Sequence, residues 1–126
     1  MIKIVSKTDL VKCINKVRNA GDKGRSNDKY KQASVLVLFI NDEIKKNSSI
    51  LMIKRRDNLR KHAGQIAFPG GRKEKNDFNL EATAKRETEE EITVSCEEYN
   101  IVGSFPKFFT GTGYVVTPFL GIIKSN

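Results

Sequence analysis

The sequence predicts an α+β domain, a mixed sheet with a helix on one face. Three observations lead there: β-branched runs lie on both sides of one long helix-forming stretch, that stretch lacks Gly and Pro, and Gly- or Pro-rich turns separate the segments. Val35 to Ile40 and Ile50 to Ile53 are the first two runs, parted by Asn41, Asp42 and a polar stretch, in the manner of a hairpin. From Arg55 to Arg72 the chain is punctuated by Gly and Pro, and Phe68-Pro69-Gly70-Gly71 is expected to be a turn, unable to continue a helix or a central strand. A helix is predicted from Asp77 or Asn79 to about Thr93, where Leu, Ala, Glu, Lys and Arg dominate. Tyr99 to Phe105 and Tyr114 to Ile123 read as two further strands, divided by a Pro106 to Gly113 loop. Ahead of all this, Leu10, Val11, Ile14 and Val17 recur at helical spacing behind Ser6 or Thr8 as N-cap. The polar, basic stretch 19–32 follows as a loop. Residues 1–32 are therefore read as a basic N-terminal helix and loop, and 33–126 as the packed domain.

A chain of 126 residues supports one core of modest size, which excludes a second folded domain. Hydrophobic residues at 38% and charged residues at 30% exclude disorder of the chain as a whole. No apolar run approaches the roughly 20 residues of a membrane-spanning helix. The lysine-studded N-terminus lacks the apolar core of an export signal, so the mature chain is expected to start at Met1. Cys13 and Cys96 stand far apart, and free thiols in a cytoplasmic setting are expected. The net charge is +8; the first 32 residues carry nine basic against three acidic side chains, and the rest is nearly balanced. A phosphorylated small molecule, a nucleic acid and an anionic surface all suit that excess.

The chemistry is concentrated in Arg86-Glu87-Thr88-Glu89-Glu90-Glu91. On a helix Glu87, Glu90 and Glu91 share one face at i, i+3 and i+4, where like charges repel and a cation is wanted. Acidic runs on helices are commonly solvated faces, but here a tight Gly-Gly turn precedes the helix and allows close backbone approach. Magnesium, a hard ion that shares its shell with phosphates, suits such oxygens. His62 is the only histidine, which excludes a histidine-based metal site or triad. Neither GxGxxG nor GxxxxGK[ST] occurs, so Gly111 and Gly113 are read as loop glycines.

The pattern Gly71-x5-Asp77-x8-Arg86-Glu87-Thr88-x-Glu90-Glu91 resembles the signature box of the Nudix hydrolases, written G-x5-E-x7-R-E-U-x-E-E-x-G-U. It departs by an Asp for the first acid, one extra residue before Arg86, Thr88 for an aliphatic residue, and Thr93 for the last glycine. Leu51 to Gly71, with Arg55, Arg60, Gly64 and Phe68-Pro69-Gly70-Gly71, is similar to the additional motif of the coenzyme A pyrophosphatase branch, as are Thr112-Gly113-Tyr114 and Val116-Thr117-Pro118. The resemblance implies an α/β/α sandwich with a mixed sheet. It implies metal-dependent hydrolysis of the pyrophosphate bond of coenzyme A, giving phosphopantetheine and adenosine 3',5'-bisphosphate, or hydrolysis of another nucleoside diphosphate derivative.

Carried over by position, Glu87 and Glu91 are the principal ligands of magnesium or manganese, Glu90 a further ligand or a base that positions water, and the Gly70 carbonyl an additional ligand. Arg86 orients the glutamates, while Arg55, Arg60 and Gly64 meet substrate. Arg suits that role by its bidentate grip on phosphate. After Glu98 no acidic residue follows, and relatives of this branch continue with a strand and a helix, so the expectation includes a domain lacking both. An inactive fragment, or a nucleic-acid module driven by the basic N-terminus, is the reading from another class. Aromatic interleaving in that segment is limited to Tyr30, which argues against it.

Overall fold

In the computed structural model, which describes residues 4–18, 29–54 and 64–123, the run Lys31–Asp42 forms one long strand, β1, around which the sheet is built. The elements in order are α1 (Lys7–Val17), β1, β2 (Asn47–Ile50), β3 (Ile53–Lys54), β4 (Ile66–Ala67), β5 (Gly70–Arg72), α2 (Leu80–Glu91), β6 (Tyr99–Ser104), β7 (Phe108–Phe109) and β8 (Tyr114–Ile123). The main sheet runs β2-β1-β8-β6, with β5 added on β1 and β7 on β8; β3 and β4 form a separate ladder. β1 and β8 are parallel from Lys31 beside Tyr114 to Ile40 beside Ile123, and the other pairings are antiparallel, so the sheet is mixed.

Alternation along β1 sends Ser34, Leu36 and Leu38, all fully buried, to one face. There Leu36 and Leu38 pack with Ala84 of α2 and with Tyr99, flanked by Phe119 and Ile123. By register, Leu120 and its neighbour Gly103 belong to the opposite face. Ile14 of α1 lies over Gly103, where an added Cβ would come within 2.8 Å of the Ile14 Cδ1. Each helix thus covers its own face, and the layers are helix, sheet, helix.

The segment read as a separate N-terminal helix and loop is tied to the sheet. α1 opens with a capping box, Asp9 N–H donating to Ser6 Oγ at 3.1 Å and Ser6 N–H to Asp9 Oδ2 at 2.9 Å. Ahead of it, Val5 donates its N–H to Ser48 Oγ and accepts from Asn41 Nδ2, both at 2.9 Å. The sheet itself begins at Lys31, two residues before the expected boundary.

Two local expectations are corrected. The run Ile50 to Ile53 is not one strand: β2 stops at Ile50, and Ile53 pairs instead with Ala67. Continued along β1, Ile53 would fall opposite Leu36, whose N–H is already taken by the Pro69 carbonyl at 2.8 Å. Phe68-Pro69-Gly70-Gly71 does not remain a turn, because Gly70 and Gly71 enter β5, opposite Val35 and Ser34. Pro69 itself stays outside the ladder as a donor and serves only through its carbonyl. Among the described residues no helix is long and apolar enough to cross a membrane.

Candidate functional site

Two elements build the site, β5 and α2. α2 starts because Asn79 is extended and its side chain accepts the Ala82 N–H at 2.8 Å. It ends because Ile92 returns to extended backbone while its N–H still reaches the Thr88 carbonyl. Thr83, Ala84 and Thr88 form the inward face, all fully buried. Thr88 stands where an aliphatic residue was expected, and its hydroxyl has no hydrogen-bond partner among the described residues; it serves as a branched packing side chain. Inward placement of this triplet turns Arg86, Glu87, Glu90 and Glu91 toward the edge of the helix beside β5.

Glu87 and Glu91 reach the same short segment. A Cβ on Gly71 would lie 2.6 and 2.7 Å from the two carboxylate oxygens of Glu87, so only glycine leaves room for that carboxylate. The Gly70 N–H donates to Glu91 Oε1 at 3.1 Å. Glu90 goes elsewhere: its carboxylate takes Arg86 Nη1 at 3.3 Å. The three acids share a helix face, as the spacing requires, but they divide between the glycine segment and the arginine.

Arg86 is the cation that this acidic face demands. Its Nε and Nη2 grip Asp77 at 2.8 and 2.9 Å, its Nη1 reaches Glu87 at 3.1 Å, and Nη2 also donates to the Arg72 carbonyl at 3.2 Å. Asp77, which the motif marks without a role of its own, is the anchor. Its carboxylate also accepts the Glu74 N–H and the Thr83 hydroxyl, each at 2.9 Å. These donors, the Arg86 guanidinium foremost and the Glu74 amide next, hold the Asp77 carboxyl well below the usual range, and Asp77 in turn raises Arg86 further. Burial pushes the Glu87 carboxyl up, against the partial relief that Arg86 supplies. An acid just before a helix cap, facing an Arg two turns on, is the sequence signal that could have identified Asp77.

The donor set is made of hard oxygens. Among the described residues no three His, Cys, Asp or Glu side chains converge as a group able to hold a metal ion. Two carboxylates at one glycine segment nevertheless suit magnesium, which is commonly held by one or two carboxylates and completes its shell with water and phosphate. Arg55 and Arg60, expected to meet substrate, lie outside the described residues, whereas Gly64, expected there too, sits ahead of β4 with φ of 72°.

Comparison with known proteins adds three findings. The family model described as the NUDIX domain matches residues 30–122. A protein of Yersinia pestis (strain Pestoides F) named "Uncharacterized Nudix hydrolase NudL" is 38% identical over 96 residues, covering 76% of this chain and 47% of that protein. The chain thus spans about half the length of the curated relatives it matches. Among solved structures, a Nudix hydrolase from M. smegmatis, RenU, superposes with TM-score 0.62 at 16% identity over 76% of this chain and 63% of that one. The C. elegans Ap4A hydrolase does so with TM-score 0.62 at 18% identity, over 76% and 70%. These likenesses show a shared fold.

Proposed function

The chain belongs to the Nudix family, and from that premise we propose that it is a metal-dependent hydrolase that cleaves the pyrophosphate bond of coenzyme A or its derivatives. The observation that carries the reading is the meeting of Glu87 and Glu91 at Gly70 and Gly71, with Arg86 clamped beside them by Asp77. The choice of coenzyme A rests on the resemblance of Leu51 to Gly71 and of Thr112 to Pro118 to that branch.

Water attacking a pyrophosphate must meet reduced negative charge on the non-bridging oxygens, and needs no nucleophilic side chain. A magnesium or manganese ion would be held by Glu87 and Glu91 with the Gly70 carbonyl as a further ligand, and would supply that neutralisation and acidify water. Arg86 holds Glu87 and Glu90 in register, so neither carboxylate has to be ordered when substrate arrives. Glu90, the most solvent-open of the Arg86-linked helix acids, takes the proton of the attacking water at a carboxylate oxygen. Arg55, Arg60 and Gly64 belong to this reading as substrate contacts. Cytoplasmic residence also belongs to it, and the exposed free thiols of Cys13 and Cys96 suit a reducing compartment.

The test is hydrolysis of coenzyme A with and without magnesium, beside a Glu91→Gln control and a panel of ADP-ribose, Ap4A and nucleoside triphosphate. Magnesium-dependent release of adenosine 3',5'-bisphosphate, lost in the control, is the expected result. Turnover of a different panel member would keep the hydrolase and replace its substrate, and no turnover of any by folded protein would overturn the reading.

A further inference from the structure

Away from the glutamates, at the end of the sheet where β1 and β8 begin, a cleft of about 550 Å³ is lined by Lys29, Tyr30, Phe109, Thr110, Gly111 and Gly113. We propose that this cleft is a nucleoside-phosphate subsite, taking an aromatic base against the Tyr30 and Phe109 rings and a phosphate at the Lys29 ammonium. The proposal rests on the hydrolase reading and assigns the nucleotide half of its substrate a place.

Four observations support it. The size falls in the usual range of small-molecule sites. The Tyr30 and Phe109 rings stand edge to face, centroids 4.6 Å apart at 68°, so each fixes the other's orientation before a third ring arrives. The turn opposite them is built rather than loose: Thr110 N–H donates to the Tyr114 carbonyl at 2.8 Å, Tyr114 N–H to Thr110 Oγ1 at 3.1 Å, and the Thr110 and Thr112 hydroxyls lie 3.0 Å apart. A Cβ on Gly111 would meet nothing within 4 Å, so the space over the turn is open.

Position supports it as well. Phe109 lies opposite Val115, Val115 beside Gln32, and Ser34, two residues on, opposite Gly71. At about 3.3 Å per residue and about 4.8 Å per strand, Phe109 on β7 stands roughly 7 Å along and roughly 14 Å across the sheet from Gly71 on β5, and register puts Phe109 on the face that carries α2. Of the basic residues nearby, Lys73 follows this face, its N–H reaching the Gln32 carbonyl at 2.8 Å, whereas Lys31 and Arg72 alternate to the other face, Arg72 paired with Ala33. A nucleoside diphosphate laid across this face meets aromatic rings at one end and the glutamates at the bond to be broken.

The experiment is calorimetric titration of ADP, and separately of inorganic pyrophosphate, into the full chain and into Phe109→Leu, Tyr30→Leu and Gly111→Leu. Base stacking on an aromatic side chain is strong enough that ADP affinity should fall about tenfold or more in the two ring variants, with pyrophosphate affinity changed less than twofold. Gly111→Leu, which fills the mouth and leaves both rings in place, should weaken ADP in the same way, and it decides the matter if a ring variant melts early. Unchanged ADP affinity, equal loss for pyrophosphate, or no binding of ADP to the unaltered chain would overturn the subsite. Ring-dependent ADP binding by a chain that hydrolyses nothing would overturn the hydrolase reading alone. Turnover whose KM ignores all three substitutions would overturn the subsite alone.

Discussion

Arg86 touches two regions that treat a carboxylate in opposite ways. At the junction ahead of α2, Asp77 is buried among four donors, two from Arg86, one from the Glu74 backbone and one from Thr83. At the β5 edge, Glu87 is more open, 19% of its side chain exposed against 6% for Asp77; it accepts from Arg86 Nη1 and faces Glu90 and Glu91. Fully bonded, the first is held ionised; under-compensated, the second is pushed toward protonation. A satisfied carboxylate is a structural post, and an unsatisfied one beside like charges is prepared to accept a cation.

The largest test of this contrast is removal of the post. Asp77→Ala leaves Arg86 without its main partner and is expected to cost about 2–3 kcal/mol in urea unfolding, since charged hydrogen bonds of a buried group are lost. It should also lower turnover by roughly 10–100-fold, the usual cost of losing the residue that orients ligands. Next comes Glu87→Gln, which removes a half-buried like charge. Turnover should fall about 100-fold or more while the melting temperature stays equal or rises, and a large drop in melting temperature would show that Glu87 is a post as well.

The smallest effect is in pH dependence. The folded-state value of Asp77 is depressed, so its contribution is present above its unfolded value and lost as pH falls through the lower folded value. Glu87, raised in the folded state, acts in the opposite sense, its contribution present below its ordinary value near 4.5 and lost as pH rises past it. The stability gap between the unaltered chain and Asp77→Asn should therefore be widest near pH 6 and shrink between about pH 4 and pH 2. Urea unfolding at those values checks it, and a gap that does not narrow would show that the Asp77 bonds are not electrostatic.

Much of this was legible in the sequence. Helix formers without Gly or Pro announce α2, although they do not choose between Asp77 and Asn79 for its start and run on to Thr93, past the observed end at Glu91; the shared face of Glu87, Glu90 and Glu91 follows from the helical period. β1 and β8 are visible as apolar runs. The partners of these elements were not visible. Nothing local says that β1 gives one half of an edge to Gly70–Arg72 and the other half to β2, although that division cuts the run Ile50 to Ile53 in two. The docking of α1 over Gly103 was equally hidden, because its amphipathic pattern tells that it packs and not on what.

By itself, then, the amino-acid sequence determined the period and charges of α2, the glycines ahead of it, and hence the chemistry available. Only the tertiary structure decided that Glu87 and Glu91 meet those glycines, that Glu90 is held by Arg86, and that Tyr30 meets Phe109 across 79 residues of chain. The reason is physical: local geometry depends on neighbours along the chain, whereas burial, hydrogen-bond competition and strand register are settled between segments that only folding brings together.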